Sequence, residues 1–320
     1  MQTATTTPEN LTQAAKKNTL PGTKKKLWFY IAIMVFPVIQ FIVFYIMVNF
    51  NSILLAFKEY EYLEGGVIVE KFVWFDNIIN TFKELFTKEA FLYCWKNSFI
   101  FYGVTTISGT ICSLSFSYYI YKKGLLGDFF KIMLYMPHIV SGMVITILYT
   151  YFLENGWPFV TEQLFGQSAP RFGSDFQYFY ILFYVFVMSF GANMLVYTGT
   201  MAGISDSIIE AGQIDGANRF QEFFHIIMPS IFSTFALFIV TGMITIFNGQ
   251  GNLFNFFGVD NCPPEFKTFG YYMYVEIYHA KMDYTKFTSL ASLGMCLTLI
   301  AIPLIFTLRA LLEKYGPKDE

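Results

Sequence analysis

The chain has 320 residues, of which 55% are hydrophobic, 20% aromatic and only 14% charged, and its formal net charge is −2. A soluble domain carries about 25% charged residues, so this composition excludes an ordinary soluble protein and points to a membrane. The near-neutral charge carries no nucleic-acid signature.

Residues 1–26 read as a short N-terminal tail, disordered over 1–23, where Thr, Asn and Lys recur without periodicity. Lys24, Lys25 and Lys26 precede a charge-free run over 27–50. That run exceeds the roughly 7–15-residue core of a signal peptide and lacks a small-x-small cleavage site, so it is read as a retained first span. Residues 51–96 form a polar external loop. Within it Phe75, Ile78, Ile79, Phe82, Leu85 and Phe86 recur at helical spacing and predict a helix lying on the membrane face. An interfacial scaffold and a docking surface for an external partner both fit that helix. Further charge-free runs follow at 97–121, 132–153, 178–204, 230–247 and 287–308. The third contains Pro137 and His138, read as a kink with a satisfied histidine, a ligand role for His138 being the alternative. Segments 154–177 and 262–283 read as loops, and 310–320 as a C-terminal tail. The expected fold is an all-α polytopic membrane protein of six transmembrane helices, with a core domain over 97–309.

Lysine and arginine set the orientation. Lys24 to Lys26, Lys122, Lys123, Lys131, Arg309 and Lys314 fall on one side of a six-span chain. Glu59, Glu61, Glu64, Glu70, Glu154, Glu162, Asp260 and Glu265 fall on the other. The positive-inside rule then places both termini in the cytoplasm of a multi-pass plasma-membrane protein.

Chemistry is sparse. Cys94, Cys112, Cys262 and Cys296 match no metal spacing. Cys112 and Cys296 read as small buried residues, and a bridge between Cys94 and Cys262 is one option for that pair. No nucleophile set or H-E-x-x-H is spelled, so no catalytic or metal residue is assigned. The chain also lacks G-x-x-x-x-G-K-S/T, so it is read as having no ATPase motif of its own, and any energy it uses comes from a partner or an ion gradient. Polar uncharged groups in or ending the apolar runs are Asn193, Ser141, Thr245, Asn248, Gln250 and Asn252. Such groups line a cavity or pair across helices. Tyr197, Phe247 and Phe254 read either as stacking platforms for a ligand ring or as packing. The pathway offers no Arg or Lys to a phosphate, which favours a neutral ligand.

The longest polar interruption in the C-terminal half, within 205–229, organises the rest. Ser207-Ile208-Ile209-Glu210 spells a capping box and predicts a helix start at Ser207. Asp215-Gly216 spells a turn that wants a positive φ. Phe220, Phe223, Phe224 and Ile227 predict a second short helix with one apolar face, broken by Pro229.

This elbow resembles the coupling motif of permease subunits of bacterial ABC importers: E-A-A, three residues, G, nine residues, I-x-L-P. Glu210, Ala211, Gly216, Ile226 and Pro229 match it, while Gly212 and Met228 depart from it. Ile214, Asp215, Gly216 and Ala217 extend the likeness toward the carbohydrate-uptake, maltose-type branch. Phe75-Asp76-Asn77, Asn97-Ser98, Met136-Pro137 and Phe190-Gly191-Ala192-Asn193 are weaker matches to the same branch. The resemblance implies a type I ABC importer permease fold. It implies that Ser207, Glu210, Ala211, Gly212, Asp215, Gly216, Ala217, Phe220, Phe223, Ile226 and Pro229 contact an ATPase. It places Asn248, Gln250 and Asn252 in the region where maltose-type subunits make sugar contacts, and Asn193 joins them on the expected substrate pathway. The implied partners are a second permease subunit, expected as a heterodimer, two ATPase subunits that use the ATP, an external solute-binding protein and a sugar. No cofactor is expected on this chain. The alternatives are an ion-coupled secondary transporter, disfavoured by spans nearly free of ionisable groups, and a non-carbohydrate permease such as a glycerol-phosphate type.

Overall fold

The structure, a computed structural model, describes residues 22–63, 67–280 and 283–317. Residues 1–21 of the expected N-terminal tail, residues 318–320 of the C-terminal one, and Glu64 from the charge count lie outside the described residues. The chain divides into two compact units, one ending at Leu55 and one beginning at Ala56.

The described part of the first unit is a membrane-length helix, α1 (Lys26–Leu55). Its helical backbone begins at Gly22, so the lysines expected in the tail stand in its first turns. Pro37 lies inside it, and a wide π turn over Phe41–Met47 follows. Apolar side chains stay exposed all round it, as lipid-facing residues do.

The second unit opens with a β-hairpin, β1 (Lys58–Leu63) and β2 (Val67–Phe72), antiparallel with Lys58 opposite Phe72. This is a departure from an all-α chain. Lys58 Nζ bridges Glu70 at 2.7 Å, and their hydrogen bond raises the lysine and lowers the carboxyl pKa. Helix α2 (Asp76–Thr87) follows. Asn77 Nδ2 donates to Lys58 O at 2.9 Å, so the first of the weak motif matches anchors the hairpin. Ile78 and Leu85 of α2 are buried in one cluster with Leu293, Cys296 and Leu297. Phe75, Ile79, Phe82 and Phe86 stay exposed, so the expected single apolar face is two.

Helix α3 (Glu89–Tyr121) starts eight residues before the charge-free run at Asn97, because Lys88 is extended and Glu89 opens the turn. Helices α4 (Gly127–Ile139) and α5 (Gly142–Phe165) stand where one kinked third span was expected, and they meet at 102°. Pro137 sits in the last turn of α4, and Val140 is extended at φ −83 and ψ 146. Helix α5 also fills half of the expected loop at 154–177. Helix α6 (Gln177–Ala202) packs along α3. Gly109, Ser113 and Ser117 form an every-fourth-residue stripe of small side chains facing it. Ser113 Oγ donates to Phe190 O at 3.0 Å and Ser117 Oγ to Met194 O at 2.8 Å.

The elbow holds α7 (Asp206–Ile214) and α8 (Arg219–Glu222), and beyond it lie α9 (Phe232–Asn248) and α10 (Leu253–Phe257). The expected loop at 262–283 contains a helix, α11 (Phe269–His279). Asn97 Nδ2 holds the segment before it through Glu265 O at 2.7 Å and Lys267 O at 3.0 Å. The last helix, α12 (Tyr284–Tyr315), runs past Arg309 into the expected tail. Among the described residues five helices are long and apolar enough to cross a membrane, and six if the bent pair is one span. All four cysteines are free, so Cys94 and Cys262 form no bridge.

Candidate functional site: an elbow and a polar cavity

The elbow departs from its spelling at the first cap. Helix α7 starts at Asp206 with Ser205 as its N-cap, and no side-chain cap bond is made there. Ser207 lies inside the helix, its hydroxyl 2.8 Å from that of Ser205, so the Ser207–Glu210 capping box does not form. The turn is as spelled. Gly216 has φ +79. Its N–H donates to Gln213 O at 3.1 Å, and Ala217 N–H donates to Gly212 O at 3.0 Å. This pair of bonds is a Schellman closure, with glycine in the left-handed position that a Cβ disfavours.

The capping box sits instead at the second helix. Asn218 Oδ1 accepts from Gln221 N at 2.9 Å, and Gln221 Oε1 accepts from Asn218 N at 2.9 Å. The Asn-x-x-Gln spelling was the available signal. Helix α8 continues through a π turn, Phe223–Ile227, into Met228–Ser230. Pro229 therefore does not end the helix; its wide preceding turn relieves the carbonyl clash, and the break falls at Ile231 (φ −106).

The expected apolar face is split. Ile209, Ile227 and Ile231 are buried with Leu114, Tyr197 and Met201. Phe223 is half-buried, its ring 5.1 Å from that of Tyr118. Ile214, Phe220 and Phe224 point outward with 85%, 77% and 59% of their surface exposed. Phe220, Phe223 and Phe224 also line a cavity of about 330 Å³ with Ser115, Tyr118 and Arg219. Glu210, Ala211 and Asp215 are exposed, while Gly212, Ala217, Ile226 and Pro229 are half-buried. A Cβ on Gly212 would stand 2.3 Å from Ile226 Cδ1, so an alanine there needs only the end of that side chain to shift.

Sequence reasoning passed over Glu222. It is 3% exposed. Its carboxylate pairs with Lys122 Nζ and accepts from Tyr118 OH at 3.4 Å and Gln213 Nε2 at 3.5 Å. Tyr118 OH also donates to Arg219 O at 3.1 Å. A buried carboxylate needs such partners, and here they come from α3 and α7.

A second feature lies among α3, α4, α5, α6 and α9. It is a cavity of about 580 Å³ whose lining includes Thr105, Thr106, Thr110, His138, Tyr184, Ser189, Asn193, Thr241, Thr245 and Asn252. Its described lining holds no Asp, Glu, Lys or Arg. Asn193 and Asn252 of the expected pathway therefore come together here, whereas Asn248 and Gln250 do not line it. Asn248 ends α9 and is exposed. Asn252 (φ +62) spends its amide internally, Nδ2 donating to Thr146 Oγ1 at 3.1 Å and Oδ1 accepting from Asn255 at 2.6 Å. His138 Nε2 lies 2.9 Å from Met188 O, so that nitrogen donates. His138 Nδ1 and Thr110 Oγ1 are buried without a hydrogen-bond partner. The stacking aromatics are elsewhere: Tyr197 is fully buried against Phe238, Phe247 against Trp95, and Phe254 meets Tyr274 edge-on. The threonines of α3 were not foreseen, because a hydroxyl in an apolar run commonly bonds its own helix, as Thr105 does to Phe101 O at 2.8 Å.

Membrane-length helices, one pair sharply broken, with a capped two-helix elbow between α6 and α9, define a polytopic membrane-type chain. Its fold is that of an ABC importer permease. It superposes on a chain of a bacterial ABC transporter involved in the import of the acidic polysaccharide alginate with a TM-score of 0.69 at 17% identity, covering 91% of this chain and 97% of that one. A second structure, the alginate ABC transporter in complex with alginate pentasaccharide-bound periplasmic protein, gives 0.66 at 18% identity, covering 89% and 93%. In sequence the chain is similar to permease proteins of ABC transporters. A probable ABC transporter permease protein of Mycoplasma genitalium is 25% identical over 176 residues, 52% of each chain. The sn-glycerol-3-phosphate transport system permease protein of Escherichia coli is 25% identical over 180 residues, 55% of this chain and 60% of that one. The polygalacturonan/rhamnogalacturonan transport system permease protein of Bacillus subtilis is 21% identical over 217 residues, 66% of each. The chain thus spans about half the length of the first curated relatives it matches. No family model matches it.

Proposed function

We propose that this chain is the membrane-spanning permease subunit of an ATP-driven importer that translocates a sugar or oligosaccharide delivered by an external solute-binding protein. It pairs with a second permease subunit, and two ATPase subunits hydrolyse the ATP. Both termini and the elbow are cytoplasmic. The observation that carries this reading is the elbow: two short helices fixed by a Schellman turn and a capping box, with Ile214, Phe220 and Phe224 exposed. An exposed apolar patch beyond the span ends is costly unless a partner covers it. The implied contact set is Ser207, Glu210, Ala211, Gly212, Asp215, Gly216, Ala217, Phe220, Phe223, Ile226 and Pro229, and its exposed members are the ones available to an ATPase groove.

The larger cavity supports a carbohydrate. Hydroxyls and amides offer both donor and acceptor to sugar hydroxyls, and an uncharged described lining favours a neutral glycan. Asn193 is its amide contact, and Asn252 lines it with an amide already bonded to Thr146 and Asn255. Asn248 and Gln250 join the pathway only on its outer side, at the turn that ends α9. A glycerol-phosphate substrate is the second reading, favoured by the Escherichia coli relative.

The test is co-purification of the ATPase together with oligosaccharide uptake in the same cells, for the wild type and Gly216→Val. A Cβ at Gly216 meets no atom within 4 Å, so the defect is purely conformational. A β-branched residue at φ +79 costs on the order of 1–3 kcal/mol and re-aims α8. The variant is expected in the membrane, with ATPase capture or uptake lost. Normal capture and uptake would leave the elbow an ordinary loop. Competition of uptake by glycerol phosphate but not by oligosaccharides would select the second reading.

A further inference from the structure

The elbow is joined covalently to two of the helices that line the larger cavity. Helix α6 enters it, carrying Asn193, and α9 leaves it, carrying Thr241 and Thr245. A displacement of the elbow therefore reaches both through the backbone. Helix α3 supplies Thr105, Thr106 and Thr110 to the same cavity and has no such continuity. What reaches α3 from the elbow is a set of side-chain contacts, and its centre is Glu222. That carboxylate is 3% exposed, pairs with Lys122 at the end of α3, and lies within hydrogen-bond distance of Tyr118 on α3 and Gln213 on α7. Tyr118 OH in turn holds Arg219 O at 3.1 Å, and its ring packs on Phe223.

We propose that the pair of buried Glu222 and half-buried Lys122 is the link that makes α3 follow the elbow, so that α3, α6 and α9, three of the five helices lining the cavity, move together. Glu222 is a positioning residue. The proposal rests on the coupling reading of the elbow given above. A buried carboxylate with one cationic partner suits this role. Glu222 is left as an uncompensated charge in a poorly solvated place if the half-buried Lys122 moves away, so the two elements are held in register rather than merely touching. An apolar contact such as Tyr118–Phe223 tolerates sliding by comparison, because dispersion is non-directional.

The experiment uses the assembled complex in lipid, in a background where Cys94, Cys112, Cys262 and Cys296 are replaced. Spin labels are placed on exposed positions as two pairs: Ile107→Cys on α3 with Ile244→Cys on α9, and Val196→Cys on α6 with Ile244→Cys. Distances are read by pulsed electron resonance with and without trapping by ATP and vanadate, which needs no knowledge of the substrate. In the wild type both distances are expected to shift on trapping. In Glu222→Gln and in Lys122→Met the α6–α9 shift is expected to persist and most of the α3–α9 shift to be lost. The reversed pair, Glu222→Lys with Lys122→Glu, is expected to restore it. A full α3–α9 shift in both single variants overturns the proposal. Failure of all three variants to assemble with the ATPase makes the pair a folding element and overturns it too. If neither distance shifts in the wild type, the coupling reading itself fails, and that outcome is distinct from the first.

Discussion

At the scale of single residues, two glycines carry different constraints. Gly216 is held by its backbone angle, in open space. Gly191 is held by its neighbours: a Cβ there would lie 2.3 Å from Leu134 O and 2.6 Å from His138 Cε1. Helices α4 and α6 therefore touch through bare backbone at this point, next to the broken span and the cavity. Gly191→Ala must part them, and overpacking of this kind costs about 1–3 kcal/mol. The thermal midpoint of the detergent-solubilised protein is expected to fall by about 2–8 °C, judged from domains of comparable size. Gly199→Ala is the control on the same helix, because a Cβ there meets nothing within 4 Å and alanine is the better helix former. Equal midpoints for the two variants would remove Gly191 from the packing account.

At the scale of elements, the elbow's order depends on its second cap. Asn218→Ala removes one half of the capping box and frees the Gln221 amide, a loss of about 1 kcal/mol. Hydrogen exchange over 218–224 is expected to quicken by about five-fold, the factor that such a loss implies. Ser207→Ala, which removes no cap bond, is expected to leave exchange over α7 unchanged. The reverse ranking would restore the cap that the spelling suggests. This case shows where the sequence was legible. The Asp215-Gly216 turn was readable because a positive φ has one favoured residue. The first cap was misread because Ser205 and Ser207 both fit, and only the chain's direction after Gly203 decides between them. The hairpin was missed although Glu64-Gly65-Gly66 joins two runs rich in Tyr, Val and Ile, a usable signal. The 102° break between α4 and α5 was not legible, since Pro137 marks a kink but not its size. Glu222 was opaque for another reason: its partners Lys122 and Tyr118 lie about a hundred residues away in sequence.

At the scale of the whole molecule, the spans were legible because lipid disfavours charge, and five of the six charge-free runs overlap long helices, the third being split by the break between α4 and α5. The cavity was half legible, because a polar group in a span announces a need for a partner but not which one. What the helices alone do not fix is which end of them faces the cytoplasm, and here the charge asymmetry makes a prediction. Lys122, Lys123 and Lys131 lie at the α3–α4 connection, which the Glu222–Lys122 pair places beside the elbow. The positive-inside rule then puts that connection and the elbow in the cytoplasm together. The acids Glu59, Glu61, Glu70 and Asp260 belong to the hairpin and to the segment before α11, at other ends of the spans. Ile214, 85% exposed at the tip of the elbow, is the position to label. In a cysteine-free background Ile214→Cys is expected to resist a membrane-impermeant maleimide added to intact cells and to react in inverted vesicles. Glu61→Cys, exposed on β1, is expected to behave in the opposite way. Labelling of Ile214→Cys from outside intact cells would reverse the orientation and, with it, put the elbow out of reach of any cytoplasmic ATPase.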